Sequence, residues 1–455
     1  MFSLNENRIN GILATCTEPS DNQLSQILEK AEQKRGLELK EAATILQIKT
    51  TNKKQLQKLF ASAVRVKNEI YGNRLVLFAP LYISDHCVND CKYCGFHYSN
   101  KTLDRRRLTT GEIAEQTMII IGMGHKRILL EAGEHPDTGI DYVCNAIRTI
   151  YKTKNKNGEI RRVNVNIAAT TTENYRKLKE AGIGTYQLFQ ETYHPETYES
   201  VHHGPKADYF RQITAHERAF EAGIDDYGIG VLFGLYDYRF EVLSLLSHAK
   251  YMEETYGVGP HTISVPRFRP ASSVAYRPKH LVSDDDFLKL IAVIRLSVPY
   301  TGMIISTRET PEIRAKAFEI GISQTSAASR TSVGGYKEKE SGQFEISDHR
   351  TVDEVVQGII KHGLLPSFCT ACYRSKRTGD RFMELAKTSN INHLCRPNAI
   401  LTFKEYLEDY SSEKTRKLGE QLIKRELGKI ENQDRRRETQ DRLKRIENGE
   451  RDLFF

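Results

Sequence analysis

The stretch RLVLFAPLYISDHCVNDCKYCGF, residues 74–96, places a continuous apolar run directly before a loop with three cysteines. Residues 74–84 are apolar on both faces, as parallel strands that are buried on both sides require. The loop that follows, here called the first cysteine loop, holds Cys87, Cys91 and Cys94 in the spacing C-x3-C-x2-C. The stretch therefore predicts a buried strand whose carboxyl end brings three thiols into one small volume.

Three thiolates at this spacing can hold three irons of a four-iron cluster, which leaves the fourth iron without a protein ligand. An open iron can bind a substrate or a cofactor, just as an open position on zinc marks a catalytic zinc. A structural zinc loop is the alternative, because soft thiolates also suit zinc and His86 or His97 lies near enough in sequence to complete it.

Downstream of this loop the sequence alternates between strand-like and helical patterns. Further predicted strands lie at 127–133, 162–168, 185–192, 227–234, 261–268, 302–309 and 321–329. With residues 74–84 they predict an α/β fold, a (β/α)8 barrel of the TIM type, with its site at the carboxyl ends of the strands. Three domains are predicted: an N-terminal helical extension at 1–72, the barrel at 73–340 and a mostly helical C-terminal domain at 341–455.

Composition and charge narrow the class of protein. The chain has 455 residues and 67 lysines and arginines against 59 acidic residues, and much of this charge lies in a helical tail at 403–449. The tail lacks interleaved aromatics and a compact basic stripe, which argues against nucleic-acid binding. No apolar stretch approaches the length of a membrane span, and the first residues are polar. We therefore expect a protein of the cytoplasm or of an organelle matrix.

A second cysteine group, Cys369, Cys372 and Cys395, has the spacing C-x2-C-x22-C. Clustered cysteines in an intracellular chain favour metal or redox chemistry over disulfides. The spacing alone leaves two hypotheses open. One is a structural zinc site completed by His393 or His362, and the other is a second iron–sulfur cluster with one open iron.

Several motifs resemble known families. The first cysteine loop, with Tyr93 directly before Cys94, resembles the signature of the radical S-adenosylmethionine (SAM) enzymes. The segments GVGPHTISVPR (257–267), VPYTGMIISTRE (298–309) and CTACYRSKRTGDRFM (369–383), together with the 22-residue gap, resemble the HydG family of tyrosine lyases that mature FeFe-hydrogenase. This resemblance runs from about residue 60 to the end of the chain.

The resemblance implies an activity. SAM on the first 4Fe-4S cluster yields a radical that splits L-tyrosine into p-cresol and dehydroglycine. Carbon monoxide and cyanide then collect on a labile fifth iron, which a bound cysteine attaches to an auxiliary 4Fe-4S cluster, as an Fe(CO)2(CN) synthon for the H-cluster. An electron donor such as ferredoxin or flavodoxin and the other hydrogenase maturases are the implied partners.

It also implies roles for individual residues. The first cysteine loop would hold the SAM cluster, the second cysteine group the auxiliary cluster, and His261 the labile iron; a satisfied core histidine is the alternative for His261. Tyr93 would face the adenine of SAM, Ala132, Gly133 and Glu134 would meet its amino group, and Glu191 would meet the ribose.

Ser329 and Arg330 would hold the tyrosine carboxylate, since arginine binds a carboxylate in a bidentate way. For Glu191 a surface ion pair, and for Arg330 an exposed loop position, remain open.

Two other functions stay open at this point. One is a tyrosine lyase of the kind that supplies dehydroglycine for thiazole synthesis, with the second cysteine group only structural. The other is not an enzyme, but an iron–sulfur scaffold or a zinc-dependent nucleic-acid binder.

Overall fold

A closed barrel of parallel strands is the central feature of the computed structural model, which describes residues 1–156, 158–271, 273–337 and 342–455. The strands are β1 (Arg74–Ser84), β2 (Arg127–Ala132), β3 (Lys154–Asn155), β4 (Gly158–Glu159), β5 (Arg162–Asn166), β6 (Tyr186–Gln187), β7 (Tyr227–Gly230), β8 (Thr262–Ser264), β9 (Gly302–Ile305), β10 (Gln324–Ser326) and β11 (Leu365–Ser367). Strands β1, β2 and β5 to β10 pair in parallel in that order, and β10 pairs back with β1. The predicted (β/α)8 barrel is confirmed.

Helices surround the barrel and extend the fold at both ends of the chain. The helices are α1 (Glu6–Thr15), α2 (Asp21–Glu32), α3 (Leu39–Leu46), α4 (Lys53–Tyr71), α5 (Thr110–Gly122), α6 (Ile140–Lys152), α7 (Thr172–Glu180), α8 (Pro195–Val201), α9 (Tyr209–Ile213), α10 (Ala215–Glu221), α11 (Tyr238–Tyr256), α12 (Asp284–Ser297), α13 (Pro311–Ile320), α14 (Val352–Lys361), α15 (Ala371–Arg374), α16 (Gly379–Lys387), α17 (Asn392–Asp409), α18 (Glu413–Gly428) and α19 (Gln433–Glu447).

Local sequence signals begin and end these elements. Helix α5, for example, begins after Thr109, whose side chain accepts from the backbone of Glu112 while the Glu112 carboxylate accepts from the backbone of Thr109. Helix α4 ends at Gly72, whose φ of 66° suits glycine. A chain turn at this point leads directly into β1.

The terminal helices pack on the barrel. Helix α4 packs against α12, and α17 packs against α4 and β11. Residues of both terminal regions and of the barrel share one apolar core, so the three predicted domains touch extensively. The domain limits stay a prediction, and the limit predicted at 340/341 lies outside the described residues.

Seven of the eight barrel strands are shorter than the sequence pattern predicts, β1 has the predicted bounds, and β3, β4 and β11 were not predicted. Residues 185–192, for instance, form only the two-residue strand β6. Strand β11 pairs in parallel with the first residues of β1 and leads into the second cysteine group. Among the described residues we find no helix with the length and apolar character that a bilayer crossing needs.

Candidate active site at both ends of the barrel

The first cysteine loop lies just beyond the carboxyl end of β1, the end at which barrel enzymes place their sites. Backbone hydrogen bonds fix it to the neighbouring strand: the N–H of Val88 donates to the carbonyl of Glu134 (2.8 Å), and that of Gly133 donates to the carbonyl of Ser84 (3.0 Å). The Arg105 guanidinium donates to carbonyls on either side of the loop. The loop is therefore held in one conformation.

The spacing of the thiols decides between a zinc ion and a cluster. Among the described residues, only His86, His135 and Asp137 bring three candidate ligand atoms within 4.8 Å of one another. Two sulfurs on one zinc, each at about 2.3 Å, lie no more than about 4.6 Å apart. Neither cysteine group meets that limit, whereas a four-iron cube binds each sulfur through a different iron. The wider separation of the sulfurs in both groups argues against a single zinc ion held by all three cysteines.

Two of the histidines proposed to complete zinc sites, His97 and His362, have carboxylate partners. Nδ1 of His97 lies 3.1 Å from Oδ1 of Asp90, and Nδ1 of His362 lies 2.9 Å from Oε1 of Glu319. The ring of His86 packs edge-on against His135. These contacts argue further against the zinc interpretation.

Two thiols of the first loop, those of Cys91 and Cys94, keep their protons in the absence of a metal. Burial and, to a smaller extent, the neighbouring Cys87 raise the pKa of Cys94 to about 12. Burial also raises the pKa of Cys91 far above its usual value. Because metal binding replaces these protons, a cationic cluster suits this buried site.

A cavity of about 890 Å³ opens inside the barrel beside the first cysteine loop. Its walls combine apolar strand residues with a few polar side chains, as small-molecule sites do. The polar wall residues that matter below are Glu131, Glu191, Arg308 and Ser329.

Four of the residues predicted to bind SAM lie in the first cysteine loop or beside it. Tyr93 is buried, lines the cavity and shares a hydrogen bond of 2.7 Å with Nε2 of His202. A Cβ on Gly133 would lie 2.3 Å from the carbonyl oxygen of His86, so only glycine permits this close approach. Glu134 accepts from Nδ2 of Asn89 at 2.8 Å, and Ala132 ends β2.

Glu191 fits both interpretations offered for it, a ligand of the ribose and a partner in an ion pair. It lines the cavity, as a ribose ligand would, and it also pairs with Nζ of Lys206 at 2.8 Å. Its φ of 68° is unusual for a residue with a side chain, and such strain is concentrated at functional sites.

Of the two residues predicted to bind the tyrosine carboxylate, only one lines the cavity. A third residue there, Arg308, was missed by sequence reasoning. Ser329 lines the cavity, and its buried Oγ has no hydrogen-bond partner among the described residues. Arg330 does not line the cavity and instead donates to the carbonyl of Ser329 (3.0 Å). Arg308 lines the cavity and lies over the ring of Phe344. Its position near the carboxyl end of the predicted strand 302–309 was the signal that could have found it.

The second cysteine group borders a different cavity, at the amino-terminal end of the barrel. Cys369 follows β11, Cys372 lies on α15, and Cys395 lies in the first turn of α17. The backbone N–H of Ala371 donates to Sγ of Cys369 at 3.4 Å. Burial raises the pKa of Cys395 to about 12. His261 is also part of this wall.

Three arginines line the second cavity, and sequence reasoning did not single them out; Arg127 and Arg162 are buried and Arg74 is half-buried. Arg74, Arg127 and Arg162 are the first residues of β1, β2 and β5. Nε of Arg74 and Nε of Arg127 are buried without a hydrogen-bond partner among the described residues, as is Oδ1 of Asp226. Buried polar atoms are normally paired, so these atoms indicate a site for a polar or anionic group.

Burial keeps the imidazole of His261 neutral. Burial lowers its pKa to about 4, and nearby arginines lower it while Asp226 raises it. Its ring stacks on Phe382 with centroids 3.9 Å apart. A neutral imidazole suits iron as a ligand.

The two cavities lie along one barrel axis. The apolar side chains of Phe78, Leu129 and Ile304 form a small cluster that lines the first cavity. Two residues earlier on the same strands, Val76, Arg127 and Gly302 line the second cavity. One layer of side chains therefore separates the two sites.

Comparison with known proteins agrees with this architecture. The Radical SAM superfamily matches residues 81–246, and the Biotin and Thiamin Synthesis associated domain matches residues 264–365. A crystal structure of HydG, a maturase of the [FeFe]-hydrogenase, superposes with a TM-score of 0.97 at 54% identity over 99% of both chains. HydG from Carboxydothermus hydrogenoformans gives 0.85 at 42% identity over 96% of this chain and 97% of that one. The 2-iminoacetate synthase of Escherichia coli is 31% identical over 68% of this chain and 82% of its own.

Barrel, cysteine loop and cavity together define a radical SAM enzyme, which uses a 4Fe-4S cluster and SAM. Within that class, the near-complete match in sequence and structure shows that the chain belongs to the HydG family.

Proposed function

We propose that this enzyme splits L-tyrosine into p-cresol and dehydroglycine and converts the latter into an Fe(CO)2(CN) synthon for the FeFe-hydrogenase H-cluster. One observation carries the proposal: two cysteine-bordered cavities lie at opposite ends of one barrel. Free carbon monoxide and cyanide would poison metalloenzymes. A trap within the same barrel as their source meets that chemical need.

In the first cavity, the 4Fe-4S cluster and SAM supply a deoxyadenosyl radical when both are bound. The residues proposed to hold SAM are Tyr93 at the adenine, Ala132, Gly133 and Glu134 at the amino group, and Glu191 at the ribose. Ser329 and Arg308 face the space proposed for tyrosine and would hold its carboxylate. Arg330 would support Ser329 from behind.

In the second cavity, Cys369, Cys372 and Cys395 would hold an auxiliary 4Fe-4S cluster. The labile fifth iron and its bound cysteine are cargo at this site, and His261 would bind that iron. The unpartnered Nε atoms of Arg74 and Arg127 support the binding of anionic groups here. We propose that ferredoxin or flavodoxin donates the electron and that other maturases in the same cytoplasm or organelle matrix receive the product.

Anaerobic turnover of the reconstituted protein tests this function. With SAM, L-tyrosine, cysteine and dithionite we expect p-cresol, cyanide and carbon monoxide. Metal analysis should find about eight or nine irons per chain and little zinc. The His261→Ala variant should form less carbon monoxide for each p-cresol, because its iron site is lost.

A second candidate is supported by the similarity to 2-iminoacetate synthase. In that case the product would be dehydroglycine, and the second cysteine group would be structural. Turnover that yields p-cresol without cyanide or carbon monoxide would decide for this candidate.

A further inference from the structure

A buried carboxylate faces the histidine proposed above to bind the labile iron. Asp226 directly precedes β7 and His261 directly precedes β8, and these strands are neighbours in the barrel. Oδ2 of Asp226 lies 3.4 Å from Nδ1 of His261. The exposed fractions of the two side chains are 2% and 13%, so water does not compete strongly for this contact.

Arg162 holds the carboxylate in place. Its Nη2 donates to Oδ2 of Asp226 at 2.7 Å, and its Nε donates to Oδ1 of Asn164 at 2.8 Å. Turning Asp226 away would break a buried ion pair, which is strongly unfavourable.

Other contacts hold the ring of His261 on its face and fix the backbone of this residue. Phe382 stacks on the ring at an interplanar angle of 17°. The N–H of His261 donates to the carbonyl of Tyr227, and its carbonyl accepts from the N–H of Gly302. These contacts leave the His261 side chain little freedom to rotate. The residues around the ring therefore decide which of its nitrogens faces the cavity.

Among the described residues, Nδ1 of His261 has no hydrogen-bond partner at ordinary geometry, and Asp226 is the acceptor it faces. Histidines that bind a metal through one nitrogen usually donate the other N–H to a carboxylate or carbonyl, which fixes the tautomer. We infer that Asp226 is a positioning residue that accepts the Nδ1–H of His261 and thereby leaves Nε2 to bind the labile iron. This inference rests on the proposed function of the second cavity.

The test compares Asp226→Asn with the wild type and with Asp225→Asn. Asp225 is the adjacent, half-buried aspartate, which accepts from Oγ1 of Thr378 at 3.2 Å instead. Reconstituted proteins are titrated with a ferrous chelator, and the iron retained beyond the two clusters is counted. We expect Asp226→Asn to bind the fifth iron about 10–100-fold more weakly, the usual effect of losing such a partner. Asp225→Asn should behave as the wild type, and Asp226→Glu should restore part of the affinity.

A second measurement needs no metal. In protein labelled with 15N-histidine, the His261 signals are assigned by their loss in His261→Ala, and their shifts report which nitrogen carries the proton. We expect the proton on Nδ1 in the wild type and a shift towards Nε2–H in Asp226→Asn.

The possible outcomes separate the inference from the proposed function. A wild-type proton on Nε2, or normal iron affinity in Asp226→Asn when His261→Ala has lost the iron, overturns the inference. Loss of the auxiliary cluster itself in Asp226→Asn also overturns it, because the role would then be structural. If His261→Ala keeps the fifth iron, the proposed function of this cavity fails instead.

Discussion

Arg308 forms part of the wall of the first cavity, whereas Arg330, next to the wall residue Ser329 in sequence, does not. The sequence pattern favoured Arg330 because it follows the last barrel strand beside Ser329. In the fold, Arg330 turns back and donates to the Ser329 carbonyl, while Arg308 extends over Phe344. Two arginines of similar sequence context thus differ in the one property that matters for binding, access to the substrate.

Arg308→Lys should weaken tyrosine binding because lysine lacks the planar fork that binds a carboxylate through two bonds. Loss of a charged hydrogen bond costs about 1.5–3 kcal/mol, so we expect the KM for L-tyrosine to rise about 10–100-fold. Arg330→Lys is the matched control and should raise KM less. Steady-state p-cresol formation measures both values, and a larger effect of Arg330→Lys would return the carboxylate to that residue.

Glu241 provides a pH test away from both cavities. Burial raises the pKa of this carboxyl from 4.5 to about 8, although Thr192 and the backbone of Tyr193 donate to it and lower the pKa. The folded state therefore keeps a proton that the unfolded state releases, and the free energy of unfolding falls as pH rises from 4.5 towards 8.

Thermal unfolding of the metal-free protein measures this effect. In Glu241→Gln the free energy of unfolding should fall less steeply with pH than in the wild type. One group contributes at most about 1.4 kcal/mol for each pH unit. Glu254→Gln, an exposed position on the same helix α11, should leave the slope as in the wild type. An unchanged slope in Glu241→Gln would show that this carboxyl is ionised in the folded state.

At the scale of elements, α17 connects the second cavity to the barrel. It carries Cys395 in its first turn and Glu405 further along its buried face. Glu405 pairs with Nη2 of Arg161 at 2.6 Å and with Nζ of Lys126 at 3.3 Å, and all three side chains are almost fully buried. The helix that carries Cys395 is thus anchored next to the starts of β2 and β5.

Glu405→Ala should destabilise the protein by about 3 kcal/mol or more, because it leaves two buried cations without this partner. It should also lower the iron bound by the second cysteine group. Glu413→Ala, which removes an exposed pair with Lys417 on α18, should change stability by no more than about 0.5 kcal/mol. Denaturant unfolding and iron analysis measure both effects, and equal stability of the two variants would contradict the argument.

At the scale of the whole molecule, the barrel interior is divided into two chambers by Phe78, Leu129 and Ile304. Under the proposed function, a small product formed in the first cavity would have to pass this layer to reach the second. Leakage to solvent is the alternative route. The layer therefore controls how much of the product is captured.

Ile304→Phe should narrow this passage, because the larger ring would fill part of the space between the two cavities. We expect less carbon monoxide and cyanide for each p-cresol, while Ile304→Val should keep the wild-type ratio. Product ratios from anaerobic turnover test this. An unchanged ratio in Ile304→Phe would mean that the product travels by another path.

Much of the fold could be predicted because its signals are local. Each barrel strand is a short apolar run between helical patterns, and the same runs appear as strands in the barrel, although shortened. Strand β11 escaped prediction because its three residues, Leu365–Ser367, have no periodic pattern of their own. Pairing with β1 makes it a strand.

Sequence alone determined the order of strands and helices and the two cysteine groups, because periodicity and short spacings are properties of neighbouring residues. The tertiary structure alone decided that Arg308 rather than Arg330 lines the first cavity. It also decided that Asp226 faces His261 and that Arg74 and Arg127 border the second cysteine group. The physical reason is barrel closure, which brings the ends of strands that are far apart in sequence to one axis, where burial and charge then set the chemistry of each side chain.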